Sequence, residues 1–160
     1  MANKVFIEWL ATAGGLGKTS KAPGTVGTLA AIPLVSLFAW GGGYVYLAAA
    51  VLLVMASIYI AHAYENLFEV EHDPKEVVID EVAGYVVAMT WLPLTWQSFV
   101  GAFVVFRLLD GIKPFPISVM DKKIGGGLGV VADDIAAGIG TNFLLQVVYT
   151  KTSWLGEQLI

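Results

Sequence analysis

Apolar residues run in long blocks along this chain, separated by short polar or glycine-rich passages. Five blocks are long enough to predict helices. The first runs roughly from Thr25 to Trp40, carries Pro33, and stops at the glycines 41–43. The second, YVYLAAAVLLVMASIYIAHAY from Tyr44 to Tyr64, holds no charged residue over 21 positions, enough to cross a hydrocarbon core of about 30 Å. The third begins near Lys75 or Glu76 and ends at Leu92, before Pro93. The fourth runs from about Trp96 to Asp110 and the fifth from about Val130 to Tyr149. Residues 111–129, rich in Gly, Pro and Lys, form the longest connection, and GGGLG at 125–129 reads as a flexible lead into the last helix or a phosphate cradle.

Composition turns this pattern into a membrane reading. The chain has 160 residues, 57% hydrophobic and only 14% charged, with a mean hydropathy of +0.73. Soluble domains carry about 25% charged residues. The expectation is a single domain over 1–160, an all-α, membrane-embedded bundle of about five helices. Blocks one and four offer only about 14–16 residues, so a compact soluble bundle with an unusually apolar core stays open. The absence of cysteine excludes disulfides, thiolate metal sites and cysteine nucleophiles. A net charge of −4 without a basic, aromatic-laced stripe does not suggest nucleic acid, and no nucleic-acid partner is expected. The N-terminal apolar stretch is short and broken by Glu8, unlike a signal peptide.

Alternating the helix directions sorts the charges. Eight of the nine Lys and Arg, all but Lys151, fall on one side, as do twelve of the thirteen acids, all but Glu157. The Lys and Arg bias makes that side cytoplasmic. Trp40, Tyr44, Tyr46, Trp91, Trp96, Tyr149 and Trp154 gather at the other side as an interfacial belt.

Asp80 and Glu81, in the otherwise apolar EVVIDEVAGYVVAMTWL, then fall in the first turns of the third helix. Asp110 falls at the cytoplasmic end of the fourth, and Asp133 and Asp134 in the first turn of the fifth. A helix dipole favours one acid at an N-terminus but accounts poorly for adjacent pairs, which repel. A hard divalent cation, Mg²⁺ or Mn²⁺, reverses that repulsion, and an oxygen-rich cluster without thiolates suits it. Gly84 follows Asp80 by four, and Gly138 follows Asp134 by four, so each acid shares a helix face with a glycine that permits close helix approach. Arg107 and Asp110 are spaced to pair, or Arg107 reaches a phosphate. Lys113, stiffened by Pro114 and Pro116, is either a phosphate ligand beside Asp110 or a snorkelling lysine. Thr25 or Gly24 is expected to cap the first helix, whose free N–H groups suit a phosphate oxygen. His62 ends the second helix and His72 sits in the acidic loop, neither in a catalytic arrangement, and Glu65, Glu69, Glu71 and Asp73 read as a solvated connection.

Four passages carry a resemblance. APGTVGTLAAIPL (22–34), VIDEVAGYVVAM (78–89), FVVFRLLDGIKPFPI (103–117) and GGGLGVVADDIAAGI (125–139) closely resemble the phosphatidylglycerophosphatase A family, in the family's order. The resemblance covers roughly residues 10–150 and shows no departure at the acidic positions. It implies a Mg²⁺-dependent phosphatase of bacterial phospholipid synthesis in the inner (cytoplasmic) membrane, multi-pass, with its active site facing the cytoplasm. The substrate implied is an anionic phospholipid, phosphatidylglycerophosphate, cleaved to phosphatidylglycerol and inorganic phosphate. On this reading Asp80, Glu81, Asp110, Asp133 and Asp134 hold one or two Mg²⁺. Glu81 or Asp134 activates water, and Lys113, Arg107, Gly24 and Thr25 clamp the phosphate. Catalysis then rests on Asp80, Glu81, Asp134 and Lys113. The rival readings are a membrane transporter or channel component with a carboxylate cation site, a CDP-alcohol phosphotransferase, whose acid spacing is absent, and a scaffold whose acids merely cap helices.

Overall fold

The computed structural model of the chain describes residues 2–19, 21–70, 74–115, 117 and 125–156. Among the described residues it is helical and contains no strand. Seven helices have defined bounds: α1 (Ala2–Ala11), α2 (Leu16–Thr19), α3 (Pro23–Trp40), α4 (Gly43–Phe68), α5 (Ile79–Ala88), α6 (Trp96–Ile112) and α7 (Gly126–Lys151). The five expected helices are α3 to α7. The two additional helices are short and precede them.

Each boundary has a local cause. Pro23 opens α3 at a position where its missing N–H costs nothing. Gly42, at φ 86°, turns the chain between α3 and α4. Thr95 caps α6, its hydroxyl oxygen accepting from the Ser98 N–H at 3.2 Å. The third helix is shorter at both ends than its apolar run predicts. Before it, the Val78 N–H donates to the Ala11 carbonyl (2.9 Å), which ties residues 77–78 to the end of α1 instead of to a helix. After it, the Asn142 amide of α7 donates to the carbonyls of Ala88 (2.9 Å) and Thr90 (2.7 Å). These partners satisfy groups that another helical turn would have used.

α5 is the hub of the bundle. Eight of its ten residues are buried, and α3, α4, α6 and α7 all pack on it. Tyr46 of α4 donates to the Val86 carbonyl (2.7 Å), and Tyr85 of α5 donates to the Phe99 carbonyl (2.8 Å). Tyr46 is therefore a buried tie between helices and not part of an interfacial belt. Trp40, Tyr44, Trp91, Trp96 and Trp154 are exposed, as a belt requires.

The directions alternate as expected. The last residues of α3, α5 and α7 meet the first of α4 around a cavity of about 330 Å³ whose lining includes Ala39, Gly42, Tyr46, Met89 and Tyr149. The acids occupy the opposite end. α3, α4 and α7, with 18, 26 and 26 residues, are long and apolar enough to cross a membrane. α5, by contrast, is only about 15 Å long and is enclosed by its neighbours. Many large apolar side chains, among them Leu52, Met55, Tyr59, Ile139 and Phe143, are exposed on these long helices. The architecture is that of a helical membrane protein.

Candidate active site

Asp80 and Glu81 occupy the second and third positions of α5, so the helix start favours their charge. Asp133 and Asp134 do not share that setting. α7 begins at Gly126, several residues earlier than expected, which puts both acids about 10 Å inside the helix, beyond its first turn. Gly126, Gly127 and Gly129 lie within the helix, so this stretch is not a flexible lead. Gly127 lies against α4 so closely that a Cβ there would collide with the Ile58 carbonyl oxygen. Its lack of a side chain serves packing.

What brings the acids together is the crossing of α5 and α7. A Cβ on Gly84 would stand 2.8 Å from the Asp134 carbonyl oxygen, and one on Gly138 would collide with the Gly84 carbonyl. Backbone meets backbone, and the side chains one turn earlier are drawn to the same place. One carboxylate oxygen each of Asp80, Glu81 and Asp134 lies within 4.8 Å of the others. Asp80 and Asp134 are buried and Glu81 nearly so. The Glu81 N–H donates to Asp80 Oδ1 at 3.0 Å. Among the described residues, Glu81 Oε2 and Asp134 Oδ1 are buried without a hydrogen-bond partner.

Two cations flank the cluster. Arg107 of α6 pairs with Asp110 at 2.8 Å and approaches Glu81 Oε1 at 3.9 Å. Lys113, expected beside Asp110, instead reaches across to Asp133 at 2.5 Å. Its backbone is left-handed, φ 46°, at the end of α6, and this turn aims the residue away from its own helix. Of the five sequence-derived acids, three therefore form one cluster, while Asp110 and Asp133 stand beside it, each holding a cation. Burial pushes the Glu81 carboxyl above its ordinary range; Asp80 and the Arg107 guanidinium oppose that push, and Asp110 adds to it.

The start of α3 closes the site. A Cβ on Gly24 would collide with Glu81 Oε1 and lie 2.9 Å from Arg107 Nη1. Neither Gly24 nor Thr25 caps α3, because the cap position is Ala22, without a side-chain hydrogen bond. Thr25 is half-buried in the first turn. Ala22, Pro23, Gly24, Lys75, Val77, Glu81 and Arg107 line a cavity of about 260 Å³. Lys75 is a site residue that the sequence reading missed. Its only signal is a lysine five residues before Asp80 in KEVVIDE. His62 is exposed and its ring contacts Asn66, consistent with a minor part. Glu71, His72, Asp73 and Pro116 lie outside the described residues.

Buried carboxylate oxygens that converge, with Glu81 Oε2 and Asp134 Oδ1 lacking a donor among the described residues, are the ligand set a hard divalent cation takes. The cluster, with a guanidinium and a helix start beside it, suits a phosphate ester bound through that cation.

Comparison with known proteins agrees. The sequence profile described as Phosphatidylglycerophosphatase A matches residues 9–149. Phosphatidylglycerophosphatase A of Escherichia coli (strain K12) is 37% identical over 131 residues, covering 81% of this chain and 76% of that protein. The protein of the same name from Haemophilus influenzae is 34% identical over 151 residues, covering 93% and 90%. A Bacteroides thetaiotaomicron protein, provisionally named a phosphatidylinositol-3-phosphatase, is 31% identical over 156 residues, covering 86% and 90%. No solved structure matches the chain. With the profile spanning nearly its full length, the chain belongs to the phosphatidylglycerophosphatase A family of phosphatases.

Proposed function

We propose that this protein hydrolyses the terminal phosphomonoester of phosphatidylglycerophosphate, a Mg²⁺-dependent reaction at the cytoplasmic face of a bacterial inner membrane. The observation that carries the reading is the buried triad of Asp80, Glu81 and Asp134, with unpartnered oxygens on Glu81 and Asp134, beside Arg107. Asp80, Glu81 and Asp134 would hold Mg²⁺, with Asp110 and Asp133 supporting from beside them. Bound there, the ion supplies positive charge to the phosphoryl group and makes a neighbouring water more acidic.

The chain's own residues supply the rest. Arg107, braced by Asp110, offers a fixed guanidinium to the phosphate oxygens. Pro23 has no N–H and Ala22 gives no side-chain cap, so the Gly24 N–H stands at the cavity as a further donor, with Thr25 following it in the same first turn. Lys113, held at Asp133, stands ready as a second cation. Glu81 or Asp134 takes a proton from the attacking water. The water oxygen bonds to phosphorus, the bond to the glycerol oxygen breaks, and that oxygen takes the proton back from the carboxylate and leaves as the alcohol. With no cysteine in the chain, direct attack by water is the simplest course.

Membership of a phosphatase family favours this reading over a transporter with a carboxylate cation site. The decisive assay is phosphate release from phosphatidylglycerophosphate by purified protein with Mg²⁺, then with chelator, alongside a phosphoinositide monoester because one relative's name points there. Release that continues under chelation rejects the metal-dependent mechanism, and no release from phosphatidylglycerophosphate rejects the substrate.

A further inference from the structure

A second cavity, of about 380 Å³, adjoins the one at Glu81 and Arg107. It is lined by Gly17, Lys18, Lys21, Pro23, Lys75 and Glu76. The two share Pro23 and Lys75, so they meet in a trough that leads from Glu81 and Arg107 out to a cluster of lysines. Lys18 is already neutralised by an ion pair with Glu8. Among the described residues neither Lys21 nor Lys75 is ion-paired.

This trough has a fixed shape. Gly17 of α2 sits against the passage before α5 so tightly that a Cβ would collide with the Glu76 carbonyl oxygen and lie 3.1 Å from Val78 Cγ1. Pro23 fixes the opposite wall at the start of α3. α1, tied to the same passage through Ala11 and Val78, exposes Val5, Phe6 and Trp9. Those side chains form an exposed apolar face, suited to a bilayer surface, on the helix joined to this passage.

The proposed substrate carries two phosphates, a terminal monoester and, on the other side of a glycerol, a diester leading to the acyl chains. The triad and Arg107 account for one of them. We propose that Lys21 and Lys75 form a subsite for the phosphodiester and so set selectivity for lipids that carry a second phosphate. The inference rests on the functional reading above. Lys21 and Lys75 are specificity residues; they act on binding and leave the chemical step to the triad.

The test separates the two phosphates. Steady-state hydrolysis of phosphatidylglycerophosphate in mixed micelles is measured with two inhibitors. Phosphatidylglycerol retains the diester and lacks the monoester, whereas inorganic phosphate probes the monoester site alone. In a K21Q/K75Q variant, KM and the inhibition constant of phosphatidylglycerol are expected to rise about tenfold, while kcat and the phosphate inhibition constant stay within about twofold. K21R/K75R is expected to restore the original values, and K151Q, at the far end of the molecule, to change none of them. The subsite is refuted if KM and phosphatidylglycerol inhibition do not move, or if phosphate inhibition weakens in parallel, which marks a general surface field. Wild-type protein that releases no phosphate from this lipid overturns the functional reading and the subsite with it. Active wild-type protein with an unshifted variant overturns the subsite only.

Discussion

Gly138 of α7 lies against Gly84 of α5 with no room for a side chain between them; a Cβ on Gly138 would reach the Gly84 carbonyl oxygen and stand 3.1 Å from its carbonyl carbon. Neither backbone can yield as a flexible side chain would. Gly138→Ala is expected to cost about 1–3 kcal/mol and to pull Asp134 out of register with Asp80 and Glu81, so activity falls with stability. Gly140→Ala is the control. Its Cβ would meet only Leu109 Cδ1, at 3.1 Å, the mobile end of a side chain. Thermal unfolding in detergent together with phosphate release compares the two, and equal behaviour removes the crossing as the organiser of the site.

Gly24→Ala tests the start of α3. The added methyl collides with Glu81 Oε1 and crowds both Arg107 terminal nitrogens, at 2.9 and 3.0 Å. The helix itself tolerates alanine. The expected outcome is a loss of at least about tenfold in kcat/KM, equivalent to about 1.4 kcal/mol, with a nearly unchanged melting temperature. A variant with full activity would mean that this end of α3 does not border the reacting phosphate.

Much of this arrangement is legible in the sequence, and the reasons for the exceptions are physical. α4 declares itself through 21 uncharged residues from Tyr44 to Tyr64. The glycine four residues after each of Asp80 and Asp134 marks the helix crossing, since the period of the helix puts both on one face. α1 escapes notice because ANKVFIEWLA carries Lys4 and Glu8 within ten residues, and only its packing on α4 shows which side is buried. The limits of α5 are set by Ala11 and Asn142, residues remote in sequence whose hydrogen bonds no local pattern encodes. Lys113 looks like a partner for Asp110, three residues before it, yet its left-handed turn delivers it to Asp133, twenty residues on. Lys75 is silent in sequence because its role depends on Pro23 and Arg107 arriving from other helices.

Asn142 is a structural residue in this account, and Asn142→Ala separates folding from catalysis. Its amide serves the carbonyls of Ala88 and Thr90, which Gln146 supports at only 3.2 Å on the Thr90 side. Removing it leaves the Ala88 carbonyl without that donor, at an expected cost of about 1–3 kcal/mol. The change lies at the opposite end of α5 from Asp80 and Glu81. Activity at low temperature is therefore expected to stay near wild type while the melting temperature drops. A variant of normal stability but low activity reverses that assignment.

The carboxylate triad makes the strongest demand on the protein without a metal, because Asp80, Glu81 and Asp134 crowd together with two oxygens unpartnered. Mg²⁺ binding only to the folded state stabilises it by mass action, about 2.7 kcal/mol at a hundred times its dissociation constant. The wild-type melting temperature is thus expected to climb with Mg²⁺ and fall back with chelator. Asp134→Asn keeps the shape and removes one charge. It is expected to abolish the Mg²⁺-dependent climb and to reduce turnover by about a hundred- to a thousandfold, the range seen when one strong electrostatic contributor is removed. In chelator it is expected to melt no lower than wild type, since the lost charge relieves repulsion within the cluster. The same pattern is expected of Glu81→Gln. If Asp134→Asn keeps both its activity and its Mg²⁺ response, Asp134 is not a ligand and the triad is not the metal site.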